Sequence, residues 1–518
     1  MTWEPELEEL RRREALGREM GGEERVARQR AAGKLTVRER IERLFDPGSF
    51  RERGALAGRG TYGDDGSLET FLPANCIIGA GRIDGRRTVV EGDDFTVRGG
   101  AADAAIWQKM VHAEQMAAEL KLPLVRLVDG TGGGGSVKSL EDMGFSYVPF
   151  LPGFEIGIEN LSTVPVVTAA LGPTAGLGAV RVVCSHFSVM VRGTSQLFVA
   201  GPPVVAASMG ESPDKEALGG SRAQTRAGAV DNEARDEDDA LAQLRRFLSY
   251  LPSNVWEAPP IIPCADPPDR REEALLSVIP RDRRKIYAMR SILADVLDRD
   301  SFFEIGARFG RSLIVGLGRL DGRSVGVLAS DPKHYGGGLT AEASDKLARF
   351  VDLFDQFHLP VVHFVDQPGF VIGTDAEKAG TVRRGSRALF AVGQATVPWC
   401  SILVRKVFGV AGAGHGNSSR LNLRYAWPSG DWGSLPLAGG IQAAYRRELE
   451  AAEDPVALYA EIQARLDAVT SPFRTAERFS VEDIVDPRET RAVLCDWAER
   501  AHELVALDLG RRARGPRP

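Results

Sequence analysis

The stretch Gly81-Arg82-Ile83-Asp84-Gly85-Arg86 returns, one residue changed, as Gly318-Arg319-Leu320-Asp321-Gly322-Arg323, an offset of 237 residues. In each copy Asp-Gly stands where a two-residue hairpin turn needs positive φ at both places, so the repeat reads as a turn between strands and is structural. Its value is as a ruler. Phe45-Asp46-Pro47-Gly48-Ser49-Phe50 is echoed by Leu297-Asp298-Arg299-Asp300-Ser301-Phe302. LPLVRLVDGTGG from Leu122 is echoed by LPVVHFVDQPGF from Leu359, again at 237, and VPVVTAALG from Val164 by VPWCSILVR from Val397, at 233. Four echoes in one order, two sharing an offset, imply two halves of one fold, and a period this long is no solenoid repeat.

A chain of 518 residues exceeds one ordinary core and should divide into domains. Hydrophobic content of 43% with 26% charged residues is globular composition, and a net charge of −6 argues against a nucleic-acid or anionic-membrane surface. Cys76, Cys184, Cys264, Cys400 and Cys495 form no CxxC pair, so neither a zinc site nor a disulfide framework is expected. A reducing, cytoplasmic compartment fits. The opening MTWEPELEELRRREALGREM alternates charge at helical spacing without a signal-peptide core, and no later run is apolar for long enough to span a bilayer.

After the helical opening, Thr36-Val37-Arg38-Glu39 reads as a capping box starting a helix through Ile41 to Phe45, ended by Asp46-Pro47-Gly48. Strand runs such as CIIGAGRI and LPLVRLVD then alternate with helical stretches such as AAIWQKMVHAEQMAAEL, which implies an α/β fold. The proline-dense LPSNVWEAPPIIPCADPPDRR, from Leu251, denies helix continuation and reads as a linker before the pattern restarts. The expected division is a first domain over 1–255, a linker over 256–280 and a second domain over 281–518.

Two glycine-rich loops follow matching strands. They are Gly172-Pro173-Thr174-Ala175-Gly176-Leu177-Gly178 in the first half and Gly409-Val410-Ala411-Gly412-Ala413-Gly414 in the second. Small residues after a strand leave N–H groups free at a helix start, which can hold an oxyanion; close packing of a helix on a sheet would use glycine too. Two loops at equivalent places tilt the balance toward a paired site. Gly58-Arg59-Gly60-Thr61-Tyr62-Gly63 matches GxGxxG but leads into Asp64-Asp65-Gly66, so it reads as a loop and not a dinucleotide site. Phosphate-loop, nucleophile-elbow and HExxH motifs are lacking. His334 and His415 could touch a ligand or merely hydrogen-bond in their loops. Asp129 and Asp366, at equivalent strand ends, could be acids or bases or could each cap the next loop, the cap being the preferred reading. Arg98, Arg192, Arg383, Arg384 and Arg387 could pair with phosphates, ordinary surface ion pairs being the default.

The run Gly21-Gly22-Glu23-Glu24-Arg25 to Gln29, then Gly33-Lys34-Leu35-Thr36-Val37-Arg38-Glu39-Arg40-Ile41 and Asp46-Pro47-Gly48-Ser49-Phe50, resembles the entry signature of biotin-dependent acyl-CoA carboxylase β subunits, of the propionyl-CoA and methylcrotonoyl-CoA carboxylase type. The likeness continues through Asp94-Phe95-Thr96-Val97, Met190-Val191-Arg192-Gly193-Thr194-Ser195, Asp366-Gln367-Pro368-Gly369-Phe370, Arg405-Lys406 and Ile484-Val485-Asp486-Pro487-Arg488.

That resemblance implies two tandem crotonase-like (ββα spiral) domains related by internal duplication. It implies a carboxyltransferase in which carboxybiotin on a separate carrier releases CO2, the biotin so formed takes the α-proton of an acyl-CoA, and the enolate attacks CO2. Both reactants pass through oxyanions, so backbone donors replace a side-chain dyad. Carried over by motif, the acyl-CoA oxyanion hole falls on Gly176 and Leu177 and the biotin one on Val410 and Ala411, with Gly172, Gly178, Ala413 and His415 lining the substrates. The implied partners are a biotin carboxylase and biotin-carrier α subunit and further copies of the chain, typically in a hexamer whose sites form between the first half of one subunit and the second half of another. Leu177 and Val410 depart from the Gly-Gly pairs of relatives, and Gly412 and Ala413 replace a tyrosine and an acid. An acyl-CoA decarboxylase independent of biotin, or an assembly paralogue without activity, are the alternatives.

Overall fold

In the computed structural model, which describes residues 2–100, 106–130, 141, 144–146, 148, 151, 153–417, 419–514 and 517–518, both Asp-Gly turns take the shape their chemistry demands. Asp84 and Gly85 have φ of 49° and 81°, and Asp321 and Gly322 of 50° and 76°. Each turn joins two antiparallel strands, Cys76–Ile83 to Arg86–Asp93 and Leu313–Leu320 to Arg323–Ser330. The echo around Asp46 and Asp298 now has a physical reason. The Asp46 carboxylate accepts from the N–H groups of Asp84 and Gly85 at 3.0 and 2.8 Å, and Asp298 accepts from those of Asp321 and Gly322 at 2.9 and 2.7 Å. Ser49 and Ser301 hydroxyls accept from the N–H groups of Arg82 and Arg319 at 3.0 and 3.1 Å. A turn whose two orphan donors are met by an upstream aspartate is specified from two places in the chain, and both places recur.

The chain divides into two compact units, Met1–Val255 and Trp256–Pro518. The first unit's main sheet runs Arg51–Arg53, Cys76–Ile83, Arg86–Asp93, Leu124–Val128, Val166–Ala170, Phe187–Val191 and Asn232–Ala234, its first two pairings antiparallel and the rest parallel. The second unit's sheet runs Phe303–Glu304, Leu313–Leu320, Arg323–Ser330, Val361–Gln367, Trp399–Phe408, Leu423–Ala426 and Asp483–Ile484, with the same succession of pairings. Strands such as Leu124–Val128 and Val361–Gln367 are buried along their whole length, as continuous apolar runs in parallel sheets are.

Helices cover these sheets. Glu4–Arg18 and Glu23–Ala31 open the chain, and Val37–Leu44 begins on the expected capping box, Thr36 N donating to Glu39 Oε2 at 2.7 Å and Glu39 N to Thr36 Oγ1 at 3.3 Å. Trp107–Leu120, Phe154–Thr163, Leu177–Val183 and Glu237–Tyr250 follow in the first unit. In the second, Met289–Val296 and Thr490–Ala506 share one apolar cluster with the sheet, and Ala341–Gln356 packs against Thr381–Gln394.

Two local readings change. Gly58–Gly63 is not a loop: Gly58–Tyr62 is a strand paired antiparallel with Leu68–Pro73, and the missing side chain of Gly58 makes room for the Phe71 ring and Leu72 carbonyl. The proline-rich stretch has only an isolated bridge, Ile261 to Arg323, yet it is held along the second unit, because Arg491 donates to the carbonyls of Asp266 and Pro267 at 3.0 and 2.8 Å. Among the described residues no helix is long and apolar enough to cross a membrane.

Candidate active site

Each glycine loop leaves the C-terminal end of a buried parallel strand and turns into a short helix, Val166–Ala170 into Leu177–Val183 and Trp399–Phe408 into Gly409–Ala413. The turn is made in both by a glycine in the left-handed region, Gly176 at φ 59° and Gly409 at φ 61°, a conformation that L side chains resist. The N–H groups just after it lie in the first helical turn and have no intrahelical acceptor. Counted from these glycines, Gly176 with Leu177 stands one place earlier than Val410 with Ala411. Leu177 and Val410 occupy matching positions, as do Gly178 and Ala411, both buried. Val410 is 65% exposed, so its side chain faces open surface.

Beneath each loop lies a buried aspartate, and neither acts as a simple loop cap. Asp129, at the end of Leu124–Val128, takes Lys34 Nζ at 2.7 Å, Arg40 Nη1 at 2.8 Å and Gln29 Nε2 at 3.1 Å. Arg40 also makes a two-pronged pair with Glu237 at 2.7 Å on both arms. Burial alone would raise the Asp129 pKa, but Arg40 and Lys34 hold it below the ordinary carboxylate range. Gly172 lies directly on this carboxylate, which a Cβ there would overlap; its lack of a side chain serves that close approach. Asp366 is matched by Arg405 at 2.9 Å, Tyr287 Oη at 2.9 Å and the N–H of Lys406 at 3.0 Å, three residues before Gly409.

The remaining candidates separate. The His415 Nδ1 donates to the Gly412 carbonyl at 2.6 Å and its own carbonyl accepts from Ser401 Oγ at 2.5 Å, while burial lowers the ring's pKa and keeps it neutral. It braces the loop. Ala413 is exposed beside it. Arg192 pairs with Glu233, and Arg384 with Asp345 at 2.5 Å. Arg98 instead joins Arg25, Arg28, Lys34 and Lys215 around a cleft of about 470 Å³ that also touches Pro173, Gly193 and Thr194; among the described residues no acidic side chain lines it. Arg25, Arg28, Lys34 and Lys215 are functional candidates that the sequence did not single out, because residues scattered from 25 to 215 carry no local sign of a shared wall. Among the described residues no group of three or more His, Cys, Asp or Glu could hold a metal.

Behind the helix Leu177–Val183 lies a second charged group. Arg181 reaches Glu91 at 2.6 Å and Asp93 at 3.2 Å, and Arg126 takes Glu114 at 2.5 Å and the Cys184 carbonyl at 2.8 Å. Burial, with Glu114 and Asp93 adding to it against Arg181 and Arg126, pushes Glu91 up to about 7. The folded pKa exceeds the unfolded value near 4.3, so the folded state binds this proton more tightly and loses stability as pH rises from about 4.5 to 7. Glu91→Gln is therefore expected to raise the melting temperature at pH 8 by roughly 3–6 °C, the equivalent of 1–2 kcal/mol at this size, with little change at pH 4.5. Calorimetry at the two pH values reads it; an equal shift at both would show that the Glu91 charge is not the cause.

With this geometry in view, comparison with known proteins is informative. Residues 28–506 match the carboxyl transferase domain family. The chain is 37% identical over 499 residues to the propionyl-CoA carboxylase carboxyltransferase subunit of Haloferax mediterranei, covering 95% of each. It is 33% identical over 497 residues to the methylmalonyl-CoA decarboxylase subunit alpha of Veillonella parvula, covering 95% of this chain and 94% of that one. Among solved structures, the transcarboxylase 12S hexamer with methylmalonyl-coenzyme A and methylmalonic acid bound superposes with a TM-score of 0.85 at 30% identity, over 100% of this chain and 98% of that chain. An α/β chain with its glycine-led helices on two alike sheets, matched over residues 28–506 by one family, belongs to the carboxyl transferase domain family.

Proposed function

We propose that the protein is the carboxyltransferase subunit of an acyl-CoA carboxylase, moving a carboxyl group between a carrier-bound biotin and the α carbon of an acyl-CoA. The observation that carries this reading is the pair of left-handed glycines, Gly176 and Gly409, each opening a helix at the end of a matching strand. Such a pair suits a reaction in which both partners develop negative oxygen and neither needs a side-chain base. The two units are read as tandem crotonase-like halves of a duplicated ancestor, with 1–255 and 281–518 as the two carboxyltransferase domains and 256–280 joining them.

In this reading the N–H groups around Gly176 and Leu177 hold the thioester oxygen as the enolate forms, and those of Val410 and Ala411 hold the ureido oxygen of biotin. The exposed, uncharged surface at Val410 fits a neutral bicyclic ring, and biotin there supplies the carboxyl group and the proton acceptor. Leu177 and Val410, at matching positions, are the donors common to either way of counting the pairs. The basic cleft beside Pro173 receives the phosphates of coenzyme A, which charge-assisted contacts from Arg28, Arg98 and Lys215 would hold. The carrier comes from a biotin carboxylase and carrier subunit. Further copies of the chain complete a homo-oligomer, a hexamer as in transcarboxylase 12S; in support, the helix Pro202–Met209 is apolar and has no buried residue.

The test is incubation with acyl-CoAs, free biotin, and malonyl- or methylmalonyl-CoA, following isotopic carboxyl transfer. Transfer that depends on biotin supports the proposal, and absence of both turnover and acyl-CoA binding sinks it. Likeness to the Veillonella decarboxylase subunit favours one second reading, loss of CO2 from a carboxyacyl-CoA; the same incubation with biotin left out reads whether that loss needs biotin. The double change Arg28→Ala with Lys215→Ala is expected to raise KM for the acyl-CoA on the order of 10²-fold or more with kcat little altered, since each charged contact contributes about 1.5–3 kcal/mol. A steady-state titration at two salt concentrations checks it.

A further inference from the structure

The cavity behind the helix Leu177–Val183 is used by nothing described so far. About 120 Å³ in volume, it lies between three helices, with Trp107 and Met110 on one, Phe154 and Ile158 on the second, and Leu177 and Val180 on the third. Its lining also holds the ion-paired group of Glu91, Glu114, Arg126 and Arg181. Leu177 therefore belongs at once to the glycine loop and to the cavity.

A second observation concerns Gly157, in the middle of the helix Phe154–Thr163, where glycine weakens a helix. A Cβ there would meet only Arg126 Nη2 at 3.7 Å and Glu114 Oε2 at 3.9 Å, ordinary contacts, so no steric crowding requires glycine. Its effect is to leave the cavity open. Resting on the acyl-CoA reading above, we propose that this cavity is the acyl-chain pocket and that its ligand is an aliphatic acyl group of five or six carbons, straight or branched, larger than propionyl. An apolar cavity of about 150 Å³ accepts a benzene ring, so one somewhat smaller takes a group of four or five carbons beyond the thioester carbonyl. The charged group limits the pocket, because a longer chain would have to press against ion pairs that cannot be desolvated cheaply.

The test is binding, measured by calorimetry on the full-length chain with coenzyme A and its propionyl, isovaleryl, hexanoyl and dodecanoyl thioesters. Each buried methylene is worth about a factor of four in affinity, so hexanoyl-CoA is expected to bind about 50-fold tighter than propionyl-CoA and dodecanoyl-CoA no tighter than hexanoyl-CoA. Gly157→Leu, which fills the space, should bring the hexanoyl-to-propionyl ratio down to about threefold; Val180→Phe does the same from the facing helix should the first variant not fold. Equal affinity for all thioesters, a climb that continues to dodecanoyl-CoA, or an unchanged ratio in a folded variant overturns the pocket alone. No binding of coenzyme A or any thioester overturns the acyl-CoA reading and the pocket with it.

Discussion

Gly176→Val is expected to lower kcat and kcat/KM for carboxyl transfer together by about 10²–10³, the loss seen when one donor to a developing oxyanion is removed. The backbone at Gly176 has φ 59° and ψ −127°. A β-branched side chain cannot hold these angles without about 1–3 kcal/mol of strain, and the chain relieves it by rotating the peptide that carries the Leu177 N–H. On the proposed reading, ground-state binding of coenzyme A is left to the basic cleft and changes little, so the loss falls on kcat. Gly66→Val is the control. That glycine also has positive φ, 77°, in a hairpin turn with open space around it, so it carries comparable strain with no expected effect on turnover. If the two variants lose activity alike, the donor pair does not lie at Gly176.

The parts of this molecule that were legible in its sequence are those fixed by local chemistry repeated at a distance. Asp84-Gly85 and Asp321-Gly322 announce positive-φ turns in two letters each, and the aspartates that satisfy those turns, Asp46 and Asp298, stand in a recurring phrase of their own. The glycine loops were legible for the same reason. The capping box at Thr36 is a four-residue signal and appears as written. Gly58–Gly63 misled because alternating glycines in a strand are permitted by what lies across from them, here Phe71 and Leu72, which no local rule supplies. The basic cleft, the charged group around Arg181 and the cavity behind the helix Leu177–Val183 draw on four or five separated segments each. Glu91 sits in RTVVEGD as a lone acid in an apolar strand, and its sequence gives no sign that Arg181 from a helix ninety residues on will meet it.

Arg40→Met is expected to be the most destabilising single change in the first unit, by about 3–5 kcal/mol, because it leaves two buried carboxylates short of a partner. Arg40 is fully buried and joins Asp129 at 2.8 Å to Glu237 at 2.7 Å, tying the helix Val37–Leu44 to the strand end beneath Gly172 and to the helix Glu237–Tyr250. Lys34 still holds Asp129 in the variant, but among the described residues Glu237 has no second ion-pair partner. For a unit of this size the loss corresponds to a fall in melting temperature of roughly 6–20 °C. The pH dependence gives a second signature. Asp129 has a folded pKa below its unfolded value, so its contribution is present above the unfolded pKa near 3.9 and is lost as pH falls through the folded value. Removing Arg40 raises the folded pKa, so the acid limb of the stability curve begins at a higher pH in the variant. Thermal unfolding between pH 3 and pH 8 reads both effects, and a parallel downward shift with an unmoved acid limb would mean that Arg40 acts through packing and not through the Asp129 charge. Because Gly172 rests on that same carboxylate, loosening it should also slow carboxyl transfer at temperatures where the unit remains folded. The loop at Gly172 would then owe its position to a cation, Arg40, more than a hundred residues upstream in the chain.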